Sequence, residues 1–260
     1  MSAADSELPD ERAPRQALQV PREGNLIQRG ASGAAIARMA QSHELSAPER
    51  RRMRLILPDE AAGGIADAFR EVRTRLLTLG GSNNFVTMVV PVSPHEGGSF
   101  VARNLAAAFA FDEAKTALLI DCNFRRPAQH LAFGITVDHG GLIDCLEHPG
   151  ADLGKYLYET GIPRLRLLPT GQAREMNGEY YSSIHMQMVI RFLHKRYPDR
   201  YLFLDGPAIK GSPDARILSD LADFIVVVAA YGRDTAATIN QAVAGFDPNK
   251  LAGVVFNNVR

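Results

Sequence analysis

The chain has 260 residues, 46% of them hydrophobic, so it is long enough to bury one α/β core with some length to spare. Its 29 basic and 29 acidic residues give a net charge of zero, which argues against nucleic acid as the main partner because that partner requires a basic face. Two cysteines are too few for a metal cage or for the disulfide framework of a secreted domain.

The first residues, MSAADSELPDERAPRQ, contain no apolar region of the kind found in signal peptides. The sequence also has no uninterrupted run of about 18 apolar residues, the length that a membrane-spanning helix needs. We therefore expect a cytoplasmic chain. If it works at a membrane, another protein is expected to hold it there.

Residues 1–62 mix proline, alanine, serine and charge and have little strand pattern. We predict a flexible N-terminal arm over residues 1–62, with one short helix at residues 34–40, followed by an α/β domain over residues 63–260. The arm contains the consecutive arginines Arg50, Arg51 and Arg52. Two interpretations of them stay open: a solvated tail without a partner, or a segment that docks to a partner protein or to anionic lipid.

From residue 63 onward, apolar runs typical of strands alternate with segments of helical spacing. Strands are predicted at residues 85–90, 116–120, 165–168, 201–204, 224–229 and 251–256. Helices are predicted at residues 65–79, 99–111, 182–196, 214–221 and 235–246. This alternation predicts an α/β fold with a mostly parallel sheet flanked by helices on both faces, whose ligands bind at the carboxyl ends of the strands.

The loop after the first predicted strand resembles a phosphate-binding loop in part. The motif G-x-x-x-x-G-K-[ST] cradles phosphate with backbone N–H groups, its lysine reaches the β- and γ-phosphates, and its hydroxyl holds Mg²⁺. Gly97 and Ser99 match the motif, whereas Val92 stands at the first glycine and Gly98 at the lysine. By this motif alone the loop does not qualify.

Two predicted strands end in an aspartate, Asp121 and Asp205. A single aspartate at such a position is more often a helix or turn cap. Two of them beside a phosphate loop are what a Mg²⁺–nucleotide site requires, one to hold metal-bound water and one to orient it. Together with the loop they favour an ancestral nucleotide site.

These segments, in this order, resemble the bacterial tyrosine kinases (BY-kinases) of capsule and exopolysaccharide export, in the ParA/MinD-like branch of P-loop NTPases. The resemblance covers about residue 65 to the C-terminus. It rests on Pro94, Glu96, Gly97 and Ser99 of the loop, on Ala102, Asn104, Leu105 and Ala106 of the next helix, and on the segments 118–121, 125–127, 205–207 and 213–215.

The resemblance implies a role for individual residues. It implies Asp121 and Asp205 as catalytic residues, if the chain has any activity, and Mg²⁺ bound weakly by Ser99, Asp121 and Asp205. The implied nucleotide-binding residues are Glu96, Gly97, Gly98, Ser99, Phe100 and Asn257, with ATP or ADP as the cofactor unless the site binds none. The implied subunit interface is formed by Asp67, Arg70 and Arg73.

Four positions depart from the family pattern: Gly98 replaces the Walker A lysine, His95 a glycine, Phe100 a small hydroxyl residue and Asn123 a carboxylate. Loss of one preorganised cation typically costs ~10²–10³ in rate, so this degenerate loop predicts little or no catalysis. Arg103 and Lys210 were considered as substitute cations. Each is interpreted as solvated surface charge instead.

The leading hypothesis is a cytoplasmic, pseudokinase-like regulatory subunit of exopolysaccharide biosynthesis and export. It would form a homo-oligomer and act with a membrane-embedded chain-length regulator or co-polymerase, peripherally at the inner face of the plasma membrane. The first alternative is an active protein-tyrosine autokinase or ATPase with a relocated cation. A MinD-like positioning ATPase ranks last, because a second loop lysine and a membrane-targeting C-terminal helix are not visible in the sequence.

Overall fold

The computed structural model describes residues 44–56, 64–172, 178–211 and 213–257. The helix predicted at residues 34–40 lies outside these ranges. The described residues contain a seven-stranded sheet, with the order β3-β4-β2-β5-β1-β6-β7. Its strands are β1 (Val86–Pro91), β2 (Thr116–Asp121), β3 (Tyr158–Glu159), β4 (Leu165–Leu168), β5 (Arg200–Asp205), β6 (Phe224–Ala230) and β7 (Leu251–Asn257).

The strands pair in parallel, except that the short β3 runs antiparallel to β4. Every residue of β1, β2 and β5 is buried, as expected for central strands covered on both faces. In the register, Asp121 lies opposite Asp205, and Asp205 lies opposite Val89. The carboxyl ends of β2 and β5 are therefore level, and β1 continues beyond them to Pro91.

Helices cover both faces of the sheet. They are α1 (Ala47–Arg52), α2 (Ile65–Gly80), α3 (Gly98–Ala110), α4 (Gln129–Ala132), α5 (Leu142–Glu147), α6 (Gly178–Ser182), α7 (Ile184–Arg196), α8 (Asp214–Ser219) and α9 (Ala236–Val243). Leu76 of α2 and Phe109 of α3 pack on one face, and Leu146 of α5 and Ile190 of α7 on the other. The predicted fold class is confirmed. Across the described ranges, every helix is too short or too polar to span a bilayer.

Residues 44–56 pack on the domain, which corrects part of the predicted arm. The carboxamide of Asn104 in α3 accepts a hydrogen bond from the Ile56 N–H at 2.8 Å and donates to the Arg54 carbonyl at 3.0 Å. Leu55 and Ile56 are buried, and the Leu45 N–H donates to the Gly161 carbonyl at 2.8 Å. Because the arm is polar overall, its composition did not predict that Leu55 and Ile56 are buried. We call residues 44–56 the N-terminal strap.

Candidate functional site

The loop and the two aspartates meet at one edge of the sheet, as predicted. Gln129, the first residue of α4, bridges them. Its side-chain Nε2 donates to the Ser99 carbonyl at 2.9 Å and to Asp205 Oδ2 at 2.7 Å, and its backbone N–H donates to Asp121 Oδ2 at 3.0 Å. Gln129 is not predicted from the sequence, because a single glutamine in a loop does not form a recognisable motif.

Left-handed backbone at two positions shapes the loop between β1 and α3. His95 has φ +68° and Gly97 has φ +86°. A Cβ at Gly97 would lie 2.0 Å from Asn257 Nδ2, which donates to the Glu96 carbonyl at 3.0 Å. Gly97 is therefore required for its conformation and for its lack of a side chain. Asn257 lies against the loop, and its role in nucleotide binding stays a prediction.

A proline ring occupies the space that the side chain of the missing lysine would need. A Cβ at Gly98 would lie 2.6 Å from Cδ and 2.8 Å from Cγ of Pro91, the last residue of β1. Both distances are far below van der Waals contact, and a proline ring cannot rotate away. The backbone at residue 98 therefore has no space for a lysine unless Pro91 moves or is replaced.

The side chain of Phe100 does not take part in the site. Its ring packs edge-on against Phe69 of α2, with centroids 6.1 Å apart, and the Arg103 guanidinium lies 5.9 Å from its centroid. Phe100 is one of the predicted nucleotide-binding residues, but only its backbone contributes to the loop.

The two strand-end carboxylates are fully buried. Burial raises the pKa of Asp121, although hydrogen bonds from the Gln129, Asn123 and Ala128 N–H groups oppose the increase. Burial, followed by the charge of Asp121, raises the pKa of Asp205 to about 7. Its Oδ1 has no hydrogen-bond partner within the part of the chain that the structure describes. Near neutral pH the pair is thus expected to bind about one proton.

A further carboxylate lies within the loop itself. Glu96 is buried, and its Oε2 accepts a hydrogen bond from the Ser93 N–H at 2.7 Å. Burial raises its pKa; the bond from Ser93 opposes the shift, and nearby Asp234 adds to it. Three carboxyl groups with raised pKa values, Glu96, Asp121 and Asp205, therefore lie at or beside the loop.

The prediction that Arg103 is solvated surface charge is wrong. Arg103 is 8% exposed, and its Nη1 donates to Gln129 Oε1 at 3.4 Å. Burial lowers the pKa of Arg103, while the negative charge of Asp205 opposes that shift. The guanidinium of Arg103 lies over the ring of Phe100, an environment that a helical wheel does not reveal. Lys210 is exposed, as predicted.

A further arginine, Arg126, lies at the tip of the loop. Arg126 contacts the ring of His95 through Nη1, so a cation lies beside the loop tip. The neighbouring Arg125 donates from Nε to Asp214 Oδ2 at 3.1 Å. The sequence analysis treated Arg125 and Arg126 as motif positions and did not anticipate the contact with His95.

The residues predicted to hold Mg²⁺ come together, but their surroundings do not fit a divalent cation. Mg²⁺ takes oxygen ligands in near-octahedral geometry. Of the four oxygens of Asp121 and Asp205, three already accept hydrogen bonds. The Gln129 amide joins the Ser99 backbone carbonyl to Asp205 Oδ2 and presents N–H donors there instead of an oxygen. A hydrogen bond from the Ser99 side chain also engages Asp205 and opposes the rise of its pKa.

The residues predicted to join subunits make contacts within the chain. Arg70 pairs with Asp67 at 2.6 Å, and Arg73 pairs with Asp112 at 3.0 Å and lies over the ring of Phe109. Arg73 therefore has a partner in its own chain, because the segment that follows α3 brings Asp112 within reach. The subunit interface itself stays a prediction.

Curated relatives of the chain are bacterial kinases and exopolysaccharide proteins. Tyrosine-protein kinase Wzc of Salmonella typhimurium is 31% identical over 196 residues, which cover 74% of this chain and 27% of Wzc. Tyrosine-protein kinase CpsD of Streptococcus agalactiae is 28% identical over 74% of this chain and 82% of CpsD. The succinoglycan biosynthesis transport protein ExoP of Rhizobium meliloti is 28% identical over 79% of this chain and 26% of ExoP.

The chain thus spans about a quarter of the length of Wzc and of ExoP. No protein-family model matches it. Among solved structures, the BceF tyrosine kinase domain has a TM-score of 0.66 and 25% identity, and the match covers 84% of this chain and 92% of that domain. The cell division ATPase MinD of Pyrococcus furiosus has a TM-score of 0.54 at 19% identity over 66% of this chain and 71% of that chain. These findings confirm the resemblance and the P-loop fold.

Proposed function

We propose that this homologue of the bacterial tyrosine kinases is a regulatory subunit of exopolysaccharide biosynthesis and export that binds nucleotide weakly and transfers no phosphate. The pathway is supported by relatives named for tyrosine kinase activity and for succinoglycan biosynthesis transport. The absence of catalysis is supported by one observation above all: the ring of Pro91 lies where a side chain at Gly98 would begin.

The chemistry of phosphoryl transfer explains why that contact matters. The enzyme's main contribution is to place positive charge around the transferred group, and loss of one such group costs ~10²–10³ in rate. Here the lysine is replaced and acidic side chains surround the loop. The backbone N–H groups at the start of α3 do not depend on side chains, so weak phosphate binding is expected to persist.

The proposed partner is a membrane-embedded chain-length regulator or co-polymerase, as the family resemblance implies, and the chain is proposed to form a homo-oligomer. The proposed place of action is the inner face of the plasma membrane. In support, Arg51, Arg52 and Arg54 of the strap are exposed. We call these three residues the strap arginines. Clustered arginines favour a surface that carries anionic lipid.

An autophosphorylation assay tests the absence of catalysis. The purified protein is incubated with ATP and Mg²⁺, and phosphotyrosine is measured by mass spectrometry. We expect no modification above that of Asp205→Ala, which removes a carboxylate from the site. Phosphotyrosine that forms in the wild type and disappears in Asp205→Ala would contradict the proposal.

A specific observation favours one second candidate, an active autokinase with a relocated cation. Arg126 contacts His95 at the tip of the loop and is the cation that such a mechanism would use. If the wild type is modified, this candidate predicts that Arg126→Ala abolishes phosphotyrosine. The matched change Arg191→Ala, on the exposed face of α7, is expected to leave it unchanged.

A further inference from the structure

Gln129 has an unusual position for a neutral side chain. It is fully buried and lies between the first turn of α3 and the end of β5, where the two aspartates converge. It contacts the Ser99 carbonyl, the Asp205 carboxylate and the Arg103 guanidinium. One side chain therefore joins the loop, one of the acidic groups and the buried cation.

The partners of Gln129 fix the orientation of its amide. The Ser99 carbonyl and Asp205 Oδ2 accept hydrogen bonds, so the atom that faces them at 2.9 Å and 2.7 Å must be the NH₂ group. Arg103 only donates, so the atom that faces its Nη1 at 3.4 Å must be the carbonyl oxygen. A reversed amide would bring donor against donor and acceptor against acceptor.

This orientation presents N–H groups at the point where a divalent cation would need oxygen. Arg103 adds a positive charge behind the amide, at 8% exposure and close enough to Asp205 for their charges to affect the pKa of Arg103. A buried guanidinium repels a second cation and partly neutralises the aspartates itself. The chain thus supplies from its own residues the compensation that a metal would provide.

We propose that Gln129, held by Arg103, takes the place of a divalent metal ion, so that this site accepts nucleoside diphosphates or triphosphates without one. The inference rests on the proposed nucleotide function of the same site. It reverses the prediction that Ser99, Asp121 and Asp205 hold Mg²⁺, and it assigns to Gln129 and Arg103 the role of positioning residues.

A metal titration tests the exclusion directly. Binding of Mn²⁺ is followed by electron paramagnetic resonance for the wild type, Gln129→Glu and the control Gln187→Glu, which adds the same charge on α7. We expect no stoichiometric site up to millimolar Mn²⁺ in the wild type or the control. In Gln129→Glu a carboxylate replaces the donor, and we expect affinity to rise by about tenfold or more.

A stoichiometric Mn²⁺ site in the wild type would overturn the proposal whatever the variants do. Failure of folded Gln129→Glu to gain affinity would also contradict it. If Gln129→Glu does not fold, Gln129→Asn serves instead. Its shorter amide cannot span Ser99 and Arg103, and we expect it to admit Mn²⁺.

Calorimetric titration with ADP, once with Mg²⁺ and once with EDTA, separates this inference from the proposed function. Equal affinity in the two buffers supports the exclusion of metal, and binding that requires Mg²⁺ overturns it. Absence of ADP binding in both buffers would contradict the nucleotide function, not the exclusion of metal, which the Mn²⁺ titration decides by itself.

Discussion

At the scale of single residues, Pro91 and Gly98 act as a pair. The proline ring occupies the volume that a side chain at residue 98 needs, so the two residues are compatible with each other and neither is compatible with a lysine in the loop. Restoring the Walker A motif by one substitution therefore does not restore the site.

We expect Gly98→Lys to destabilise the fold by about 1–3 kcal/mol, the usual cost of overpacking a filled site. The added Pro91→Gly should recover most of the loss, because it removes the ring that the new Cβ meets. Chemical denaturation of the wild type, Pro91→Gly, Gly98→Lys and the double variant measures this coupling. Additive losses, with no recovery in the double variant, would show that the ring is not the obstacle.

Asp205 gives the second prediction at this scale. Its pKa rises from the ordinary 3.8 to about 7 on folding, because of burial and the charge of Asp121. A raised pKa means that the folded state binds the proton more tightly. The stabilising contribution is therefore complete below pH 3.8 and is lost as the pH rises to about 7.

The measurement for Asp205 is the free energy of unfolding of the wild type minus that of Asp205→Asn, between pH 4 and 8. We expect this difference to fall as pH rises toward about 7 and then to level off. The exposed substitution Asp138→Asn provides the control and should give a flat difference. A difference that stays flat or rises over the same interval would show that folding does not raise the pKa of Asp205, which would contradict the prediction.

At this scale the sequence predicts which functional residues lie together, but it does not predict which side chains surround them. Asp121, Asp205 and Ser99 were predicted from motif positions, and the structure gathers them. Pro91, Gln129 and Arg103 act through space and across distant segments, so no local pattern indicated them. Pro91 stands seven positions before Gly98, yet their contact depends on how the loop turns.

At the scale of elements, helix α3 connects the strap to the site. Asn104 forms hydrogen bonds with the backbone of Arg54 and Ile56, and Arg103, one residue earlier, donates a hydrogen bond to Gln129. The residue of α3 that holds the strap is therefore adjacent in the chain to the residue that supplies the buried cation. Composition predicted a flexible arm here. The packing of the strap could not be predicted, because one asparagine in a distant helix does not indicate which segment it binds.

We expect Asn104→Ala to cost about 1–3 kcal/mol of stability, because it leaves the buried Ile56 N–H and the Arg54 carbonyl without their partner. It should also speed tryptic cleavage within residues 50–54. Denaturant unfolding and limited proteolysis measure the two effects, with the exposed Asn240→Ala on α9 as the control. Cleavage at the wild-type rate would mean that Asn104 does not retain the strap.

The strap arginines give a second prediction for this element. Replacing Arg51, Arg52 and Arg54 by serine should reduce cosedimentation with vesicles that contain anionic lipid, since each arginine near such a surface contributes about 1 kcal/mol. The control replaces Arg191, Lys195 and Arg196 of α7, three exposed basic residues, by serine. Equal losses for both variants would indicate a general effect of charge, and no loss for either would contradict lipid docking by the strap.

At the scale of the whole molecule, the parallel sheet determines where the site lies. The alternation of strands and helices predicted the sheet, and its register brings the ends of β2 and β5 level. Short elements were missed, such as β3 and α4, because they contain too few residues for a periodic pattern. The helix predicted at residues 182–196 is confirmed as Ile184–Arg196, with Ser183 as its N-cap, and a separate short helix, Gly178–Ser182, precedes it.

The loop on this fold therefore lacks the Walker A lysine, since Gly98 stands at that position, but it keeps its backbone N–H groups. The helix N-terminus still provides N–H donors, while Pro91, Gln129 and the buried carboxylates determine what it can accept. A scaffold of this kind is suited to sensing or docking, because phosphate binding can persist after the chemistry of transfer is gone.

The most direct test of this account is a calorimetric titration of the wild type and of Pro91→Gly/Gly98→Lys with ADP. We predict weak binding by the wild type, in the millimolar range, and a gain of roughly tenfold or more in the double variant, which corresponds to about 1.4 kcal/mol. Micromolar binding by the wild type, with no gain in the double variant, would contradict the claim that Pro91 and Gly98 disable the loop.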